Sequence, residues 1–157
     1  MKKFSVIAAV SKGWAMGHQG ALPWPHLLDD MIHFRSHTLN RSVIMGRRTY
    51  ESMGGPLPQR ETIVISKTKV CAKNIHTVPT LHSALELASR TPYVIGGATV
   101  YEEALPYASD IYLTVINGEY KGDTFFPHAF LSHFECVDIK GSKNKDLCFL
   151  HFVKKSS

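Results

Sequence analysis

One carboxylate, Asp30, is the first candidate for chemistry. It lies inside the segment LPWPHLLDDMIHF, residues 22–34. Pro23 and Pro25 bracket Trp24 and hold the backbone extended there. Beyond Pro25, Leu27, Leu28, Met31, Ile32 and Phe34 recur at helical spacing, and Asp30 precedes Phe34 by four residues, on its face. Desolvating an unpaired carboxylate is costly, so an acid on the apolar face of a short helix calls for a cationic or multiply N–H-donating partner. A ligand would supply one. The structural alternative makes Asp30 and Asp29 solvated acids that favour the first helical turn. Asp29 fits that description better; the spacing to Phe34 selects Asp30 and leaves Asp29 to face solvent.

Two junctions share one physical form, a strand that runs into glycine and then a helix start. They are Ile44-Met45-Gly46-Arg47-Arg48-Thr49 and Val94-Ile95-Gly96-Gly97-Ala98-Thr99. Glycine admits a close backbone approach, and the free N–H groups of a first helical turn attract anions. Arg47, Arg48 and Thr49 add donors suited to phosphate. A glycine at such a place is usually only a tight turn. Two in one sheet, opening at the carboxyl ends of their strands, fit the two sides of a diphosphate. Neither matches a P-loop or GxGxxG, which disfavours a triphosphate fold. His33 and His37, and His26 with Asp30, have the i,i+4 spacing of helix ligands. No HExxH motif or second cluster closes a metal site, and exposed helix histidines are the default. No serine lies in a GxSxG context and no cysteine has an evident histidine partner, so covalent hydrolysis is unsupported.

The elements that must carry these groups follow from patterning. The 157 residues, 44% hydrophobic and 20% charged, predict one globular domain. No apolar run reaches membrane-spanning length, and the start MKKFSVIAAVSKGW reads as a strand rather than a signal peptide. Three cysteines without CxxC spacing favour a reducing cytoplasm over a disulfide framework. A net charge of +5, with the basic residues scattered, favours small anions over nucleic acid. Strands are predicted at 4–11, 42–45, 62–66, 74–78, 93–95, 111–116, 134–139 and 147–153. Helices are predicted at 27–38, 47–53, 81–88 and 98–105, and the glycine-rich segment 12–20 is predicted to be loop. The alternation predicts an α/β fold: a mostly parallel, mixed eight-stranded sheet, about four flanking helices and a C-terminal antiparallel hairpin.

At these residues the chain resembles the dihydrofolate reductase family. IAAV (7–10), GALPW (20–24), Asp30 with Phe34, and VIMGRRTYESMG (43–54) carry the likeness. PLPQR (56–60), VIGGATVYEEALP (94–106), YLT (112–114) and GDTFFP (122–127) complete it in the family's order. The resemblance implies reduction of 7,8-dihydrofolate, with hydride passing from NADPH to pterin C6 and N5 protonated. It implies that Asp30 hydrogen-bonds the pterin 2-amino group and N3, a bidentate geometry that satisfies a buried acid. Trp24 and Thr114 match residues that hold the carboxylate's water and hydroxyl network, and Leu22 completes the catalytic set. Ile7, Met31, Phe34, Met53 and Leu57 match the apolar walls around the substrate, and Arg60 the arginine that grips its glutamate carboxylate; from its own sequence context Arg60 reads as a surface residue.

On the cofactor side the resemblance assigns Ala9, Ala15, Met16, Gly17 and Gly20 to the nicotinamide and its covering loop. Gly46, Arg47, Arg48, Thr49, Ser66 and Lys67 match the adenosine end, where cations near the 2′-phosphate select NADPH. Ile95, Gly96, Gly97, Ala98, Thr99, Val100 and Tyr101 match the second junction, whose glycine pair is joined in the family by a cis peptide. Asp123 resembles an acid that steadies the loop. Thr99 stands where some members carry arginine, and Trp14-Ala15-Met16 is not the family's common apolar triple. The expectations are a single domain over 1–157 with an adenosine-binding lobe at about 41–91, no metal, antifolates as inhibitors, a cytoplasmic location and a monomer. A reductase of another pterin is the alternative enzyme, against which Arg60 argues. A noncatalytic binder of NADPH or nucleic acid is the alternative outside enzymes, and it has no need of Asp30, Trp24 and Thr114 together.

Overall fold

The computed structural model describes residues 2–17, 23–24, 27–142 and 146–156. The most apolar run becomes the centre of the sheet: β1 (Ser5–Ser11) is buried along almost its whole length. It lies between two parallel neighbours, as a strand covered on both faces should. The other main-sheet strands are β3 (Ser42–Gly46), β4 (Glu61–Ile65), β5 (Ile75–Val78), β6 (Pro92–Gly96), β7 (Asp110–Ile116), β9 (Phe134–Gly141) and β10 (Leu147–Lys154). They pair in the order β5-β4-β3-β6-β1-β7-β10-β9. β5 through β7 are parallel, and β10 and β9 run antiparallel at one edge. The mixed eight-stranded sheet is as the patterning predicts.

Helices α1 (Leu28–Thr38), α2 (Arg47–Met53), α3 (Leu81–Leu87) and α4 (Ala98–Ala104) flank it, with a 3-10 turn at His128–His133. Strand alternation sorts the core: Ile44 and Ile63 pack with Leu81 and Leu85 of α3, Val100 of α4 and Leu105 just after it. Val43, Met45 and Val64 turn to the opposite face, with Tyr50 of α2.

Three expectations are corrected. The segment read as loop contains a short strand, β2 (Ala15–Gly17), paired with β8 (Thr124–Phe125). Such short strands show no periodicity to read. The apolar residues of α1 do not face the core: Leu28, Met31 and Ile32 are 69%, 51% and 57% exposed. The helix instead turns Thr38 and the half-buried His33 and His37 inward, so these histidines are not the exposed pair that helical spacing alone favours. The sheet surface beneath them is aromatic; the His33 ring stacks on it and the His37 ring lies tilted against it.

Candidate active site

Asp30 sits in the first turn of α1, which starts after Leu27 with no side-chain cap. Burial raises its pKa, and a hydrogen bond from the Thr114 hydroxyl partly offsets the rise. Thr114 is 1% exposed. It stands in mid-β7, opposite Ala9 of β1 and Phe149 of β10. No cation pairs with Asp30 among the described residues. Burial, and then the charge of Asp30, also pushes up the pKa of the Tyr101 phenol, whose hydroxyl donates to the Ile7 carbonyl at 2.7 Å. Trp24 is buried with Ile116 and Leu147 and meets Tyr120 edge-on, with ring centroids 6.1 Å apart. Asp29 is half-buried, so it does not simply face solvent as expected.

Ile7 is buried, Phe34, Met53 and Leu57 are half-buried, and Met31 is open to solvent. Arg60 is more informative. Its Nε is buried without a hydrogen-bond partner among the described residues. Burial and the neighbouring Arg35 charge lower its pKa. A guanidinium with an orphaned donor beside a second cation is complementary to an anion. Arg35 was not singled out from sequence; its place one helical turn beyond Met31, on the helix that carries Asp30, was the available signal.

The two glycine junctions come together because β3 and β6 are adjacent and parallel, with Met45 opposite Gly96. The Gly96–Gly97 peptide is cis. Gly96 has φ +134°, where a side chain is disfavoured. A Cβ on Gly97 would lie 3.2 Å from the Thr49 hydroxyl, and one on Gly46 the same distance from Val100. Neither α2 nor α4 has a side-chain cap, so the glycines leave their first-turn N–H groups open. Val100 and Tyr101 are buried and commit their side chains to the core, whereas Thr99 is exposed and Ile95 and Ala98 are half-buried.

Arg47 links this end to the loop after β4. It reaches Glu51 at 2.7 Å and the Thr68 hydroxyl at 2.7 Å, and Thr68 lies 3.4 Å from the Ser66 hydroxyl. The Arg47–Glu51 pair is solvent-exposed, so it is weak and displaceable. Arg48 and Lys67 are exposed, with no ion pair among the described residues. Thr68 is a member of this cluster that sequence reasoning missed.

On the other side of β1, Ala15 is 1% exposed and lies against Gly122, where a Cβ would come within 2.5 Å of it. Met16 and Gly17 are half-buried, and the Asp123 amide donates to the Gly17 carbonyl at 2.9 Å. The expected site residues Gly20 and Leu22 lie outside the described residues, as does His26. Trp14 anchors the start of the ribbon by stacking on His128, centroids 4.7 Å apart. Among the described residues no group of three or more His, Cys, Asp or Glu is placed to hold a metal. An open groove of about 690 Å³ at the amino ends of the strands contains none of the expected residues. Its acid, Asp110, is already bonded to Ser109 and His151.

A family model described as dihydrofolate reductase matches residues 3–154. Dihydrofolate reductase type 3 of Salmonella typhimurium is 42% identical over 126 residues, covering 78% of this chain and 77% of that protein. Dihydrofolate reductase of Neisseria gonorrhoeae is 36% identical over 163 residues, covering 99% of this chain and 100% of that protein. The solved structure of Enterococcus faecalis dihydrofolate reductase complexed with NADP(H) and RAB-propyl superposes with a TM-score of 0.89 at 27% identity, covering 98% of this chain and 97% of that one. A sheet that brings two open glycine junctions beside an acid with no cation partner among the described residues, and likeness along almost the whole length, lead to one conclusion: this chain belongs to the dihydrofolate reductase family.

Proposed function

We propose that this chain reduces 7,8-dihydrofolate to tetrahydrofolate with NADPH. The observation that carries the reading is Asp30: a carboxylate pushed toward protonation by burial, steadied by Thr114, and facing no protein cation among the described residues. Its missing partner is a planar pair of N–H donors, as the pterin 2-amino group and N3 provide. Bound in that way, Asp30 fixes the ring and polarises it so that N5 accepts a proton more readily, while Trp24 and Thr114 hold the carboxylate's surroundings. Ile7, Phe34, Met53 and Leu57 wall the ring from water. Arg60, with its unpartnered Nε, takes the glutamate carboxylate; this favours a folate over a pterin without that tail. Antifolates that present the same donor face occupy the same site.

The donor set fits the cofactor. Gly46, Gly96 and Gly97 leave close backbone and open amides for a diphosphate, with Thr49 between them. Arg48, Lys67 and Ser66, with Arg47 once released from Glu51, provide donors for a 2′-phosphate. NADPH held there supplies the hydride. Residues of about 41–91 form the adenosine-binding lobe of a single domain. No helix among the described residues is long and apolar enough to cross a membrane. The three cysteines are unpaired, which fits a reducing cytoplasm, and a monomer holds every residue the site requires.

The test is the loss of absorbance at about 340 nm when purified protein, NADPH and dihydrofolate are mixed, with NADH and dihydrobiopterin as controls. Rapid loss with NADPH and dihydrofolate, and slow loss with either control, is the expected result. No loss from folded protein that binds NADPH would contradict the reading and favour a noncatalytic binder.

A further inference from the structure

The Asp30–Thr114 contact is not the only attachment of helix α1 to the sheet. One turn on, the His33 ring stacks on Phe149 of β10, with centroids 4.1 Å apart. Phe149 is the cross-strand neighbour of Thr114. The two attachments therefore close a circuit of Asp30, Thr114, Phe149 and His33. His37 extends the layer, 4.6 Å from His33 and 4.2 Å from Tyr112. Tyr112 stacks in turn on His151 at 4.4 Å, and Asp110 accepts from His151 at 2.8 Å.

This layer holds His33 as a neutral ring. Its Nε2 is buried with no hydrogen-bond partner among the described residues. Burial, then His37 and Lys140, holds its pKa down at about 4. Burial, then His151 and Lys140, lowers that of His37 as well. The groups facing the pair offer a new cation little help. β10 presents His151, β9 presents Lys140 beside Asp138 at 3.8 Å, and β6 and β7 present Tyr93 and Tyr112. Asp110 is already bonded to Ser109 and His151, and on α1 itself Asp30 is bonded to Thr114.

We propose that His33 and His37 are positioning residues for Asp30: as neutral rings they seat α1 on the sheet, and their protonation unseats it. A base whose folded-state pKa is depressed stabilises above its unfolded value and loses that contribution as pH falls. The window therefore runs from about pH 6.5 down toward about pH 4. Within it, α1 should loosen while elements remote from the pair hold.

The experiment is amide hydrogen exchange on the protein without substrate, corrected for intrinsic rates, at about pH 6.5 and about pH 4.5. It compares α1 with α3 in wild type, His33→Phe and His33→Ala. Because no reaction is read, its failure would leave the function proposed above untouched. Wild-type α1 should lose protection relative to α3 by about tenfold or more on acidification. His33→Phe keeps the stack without the proton and should shrink that loss by at least about threefold. His33→Ala should lower α1 protection already at the higher pH. A smaller rescue by phenylalanine, parallel loss from α1 and α3, or an unaltered alanine variant would overturn the proposal.

Discussion

The two ends of the parallel strands treat their carboxylates in opposite ways. At the amino ends, Glu61 and Asp110 are bonded within the protein. Glu61 accepts from the Ser42 hydroxyl at 2.6 Å, the Ser89 amide at 2.8 Å and the Ser89 hydroxyl at 2.9 Å. Burial alone would raise its pKa, but these bonds outweigh it and hold the group below its ordinary value. Asp110 behaves the same way: Ser109 and His151 overcome burial and lower it. On the side of the sheet where the glycine junctions open, Thr114 is the hydroxyl donor to Asp30 among the described residues, and burial wins. The three seven-residue helices all begin at the carboxyl ends of strands, and they differ there. α3 is closed by a reciprocal capping box between Thr80 and Ser83, whereas α2 and α4 begin on glycines without side-chain caps. Satisfied groups hold a fold together. Unsatisfied groups also occur singly, as at the buried Thr62 hydroxyl, which has no partner among the described residues; where an acid without a cation partner and open helix amides gather, they mark where a ligand completes the structure.

The contrast is broken most severely at Asp30. Asp30→Asn should keep the fold and NADPH binding while lowering the rate of dihydrofolate reduction at neutral pH by about a hundredfold or more. Part of the loss should return in acid, where more of the pterin is already protonated. The same change should raise thermal stability at neutral pH. A carboxyl with a raised folded-state pKa stabilises the fold only while protonated, so its ionised form is the costly one. Rates and melting curves of the two proteins across pH would show both effects, and wild-type activity in the variant would sink the assignment.

A smaller effect is expected at the open junction. Gly97→Ala places a methyl group 3.2 Å from the Thr49 hydroxyl and should weaken NADPH binding about tenfold, or about 1.4 kcal/mol, with little change in melting temperature. Titration of NADPH fluorescence measures it.

Away from the open junctions the readouts should reverse, with stability falling and activity per folded molecule unchanged. Glu61→Gln should cost about 1 kcal/mol at neutral pH after allowance for solvent screening. Because the Glu61 pKa is lowered on folding, its contribution is present above the unfolded value of 4.5 and disappears as pH falls below it. The variant and wild type should converge there in denaturant titrations. Thr80→Ala removes one arm of the α3 capping box, and urea denaturation should register a loss of about 0.5–1 kcal/mol.

Much of this end-to-end difference was legible before the structure, for identifiable reasons. The buried strands and the four helices have long, clear periods, and the junctions at Gly46 and Gly96 carry local turn chemistry. Asp30 was readable because an acid among Leu27, Met31 and Phe34 is anomalous. The face of α1 was not readable: Leu28, Met31 and Ile32 suggested the core side, but the sheet beneath is built from Tyr93, Tyr112, Phe149 and His151, which take histidine rings. The β2–β8 ribbon is too short for any period, and the Arg35–Arg60 proximity depends on elements distant in sequence. Such contacts are properties of the assembled sheet rather than of any one segment.

The central claim, that Asp30 lacks its partner until a pterin binds, is tested most directly by carbon-13 NMR titration of the aspartate carboxyls, with Asp30 assigned through Asp30→Asn. In the free protein the Asp30 carboxyl should titrate above the ordinary aspartate value of 3.8, and dihydrofolate should hold it ionised to lower pH. An Asp30 that titrates at or below 3.8 without ligand, or that dihydrofolate leaves unmoved, would contradict the account.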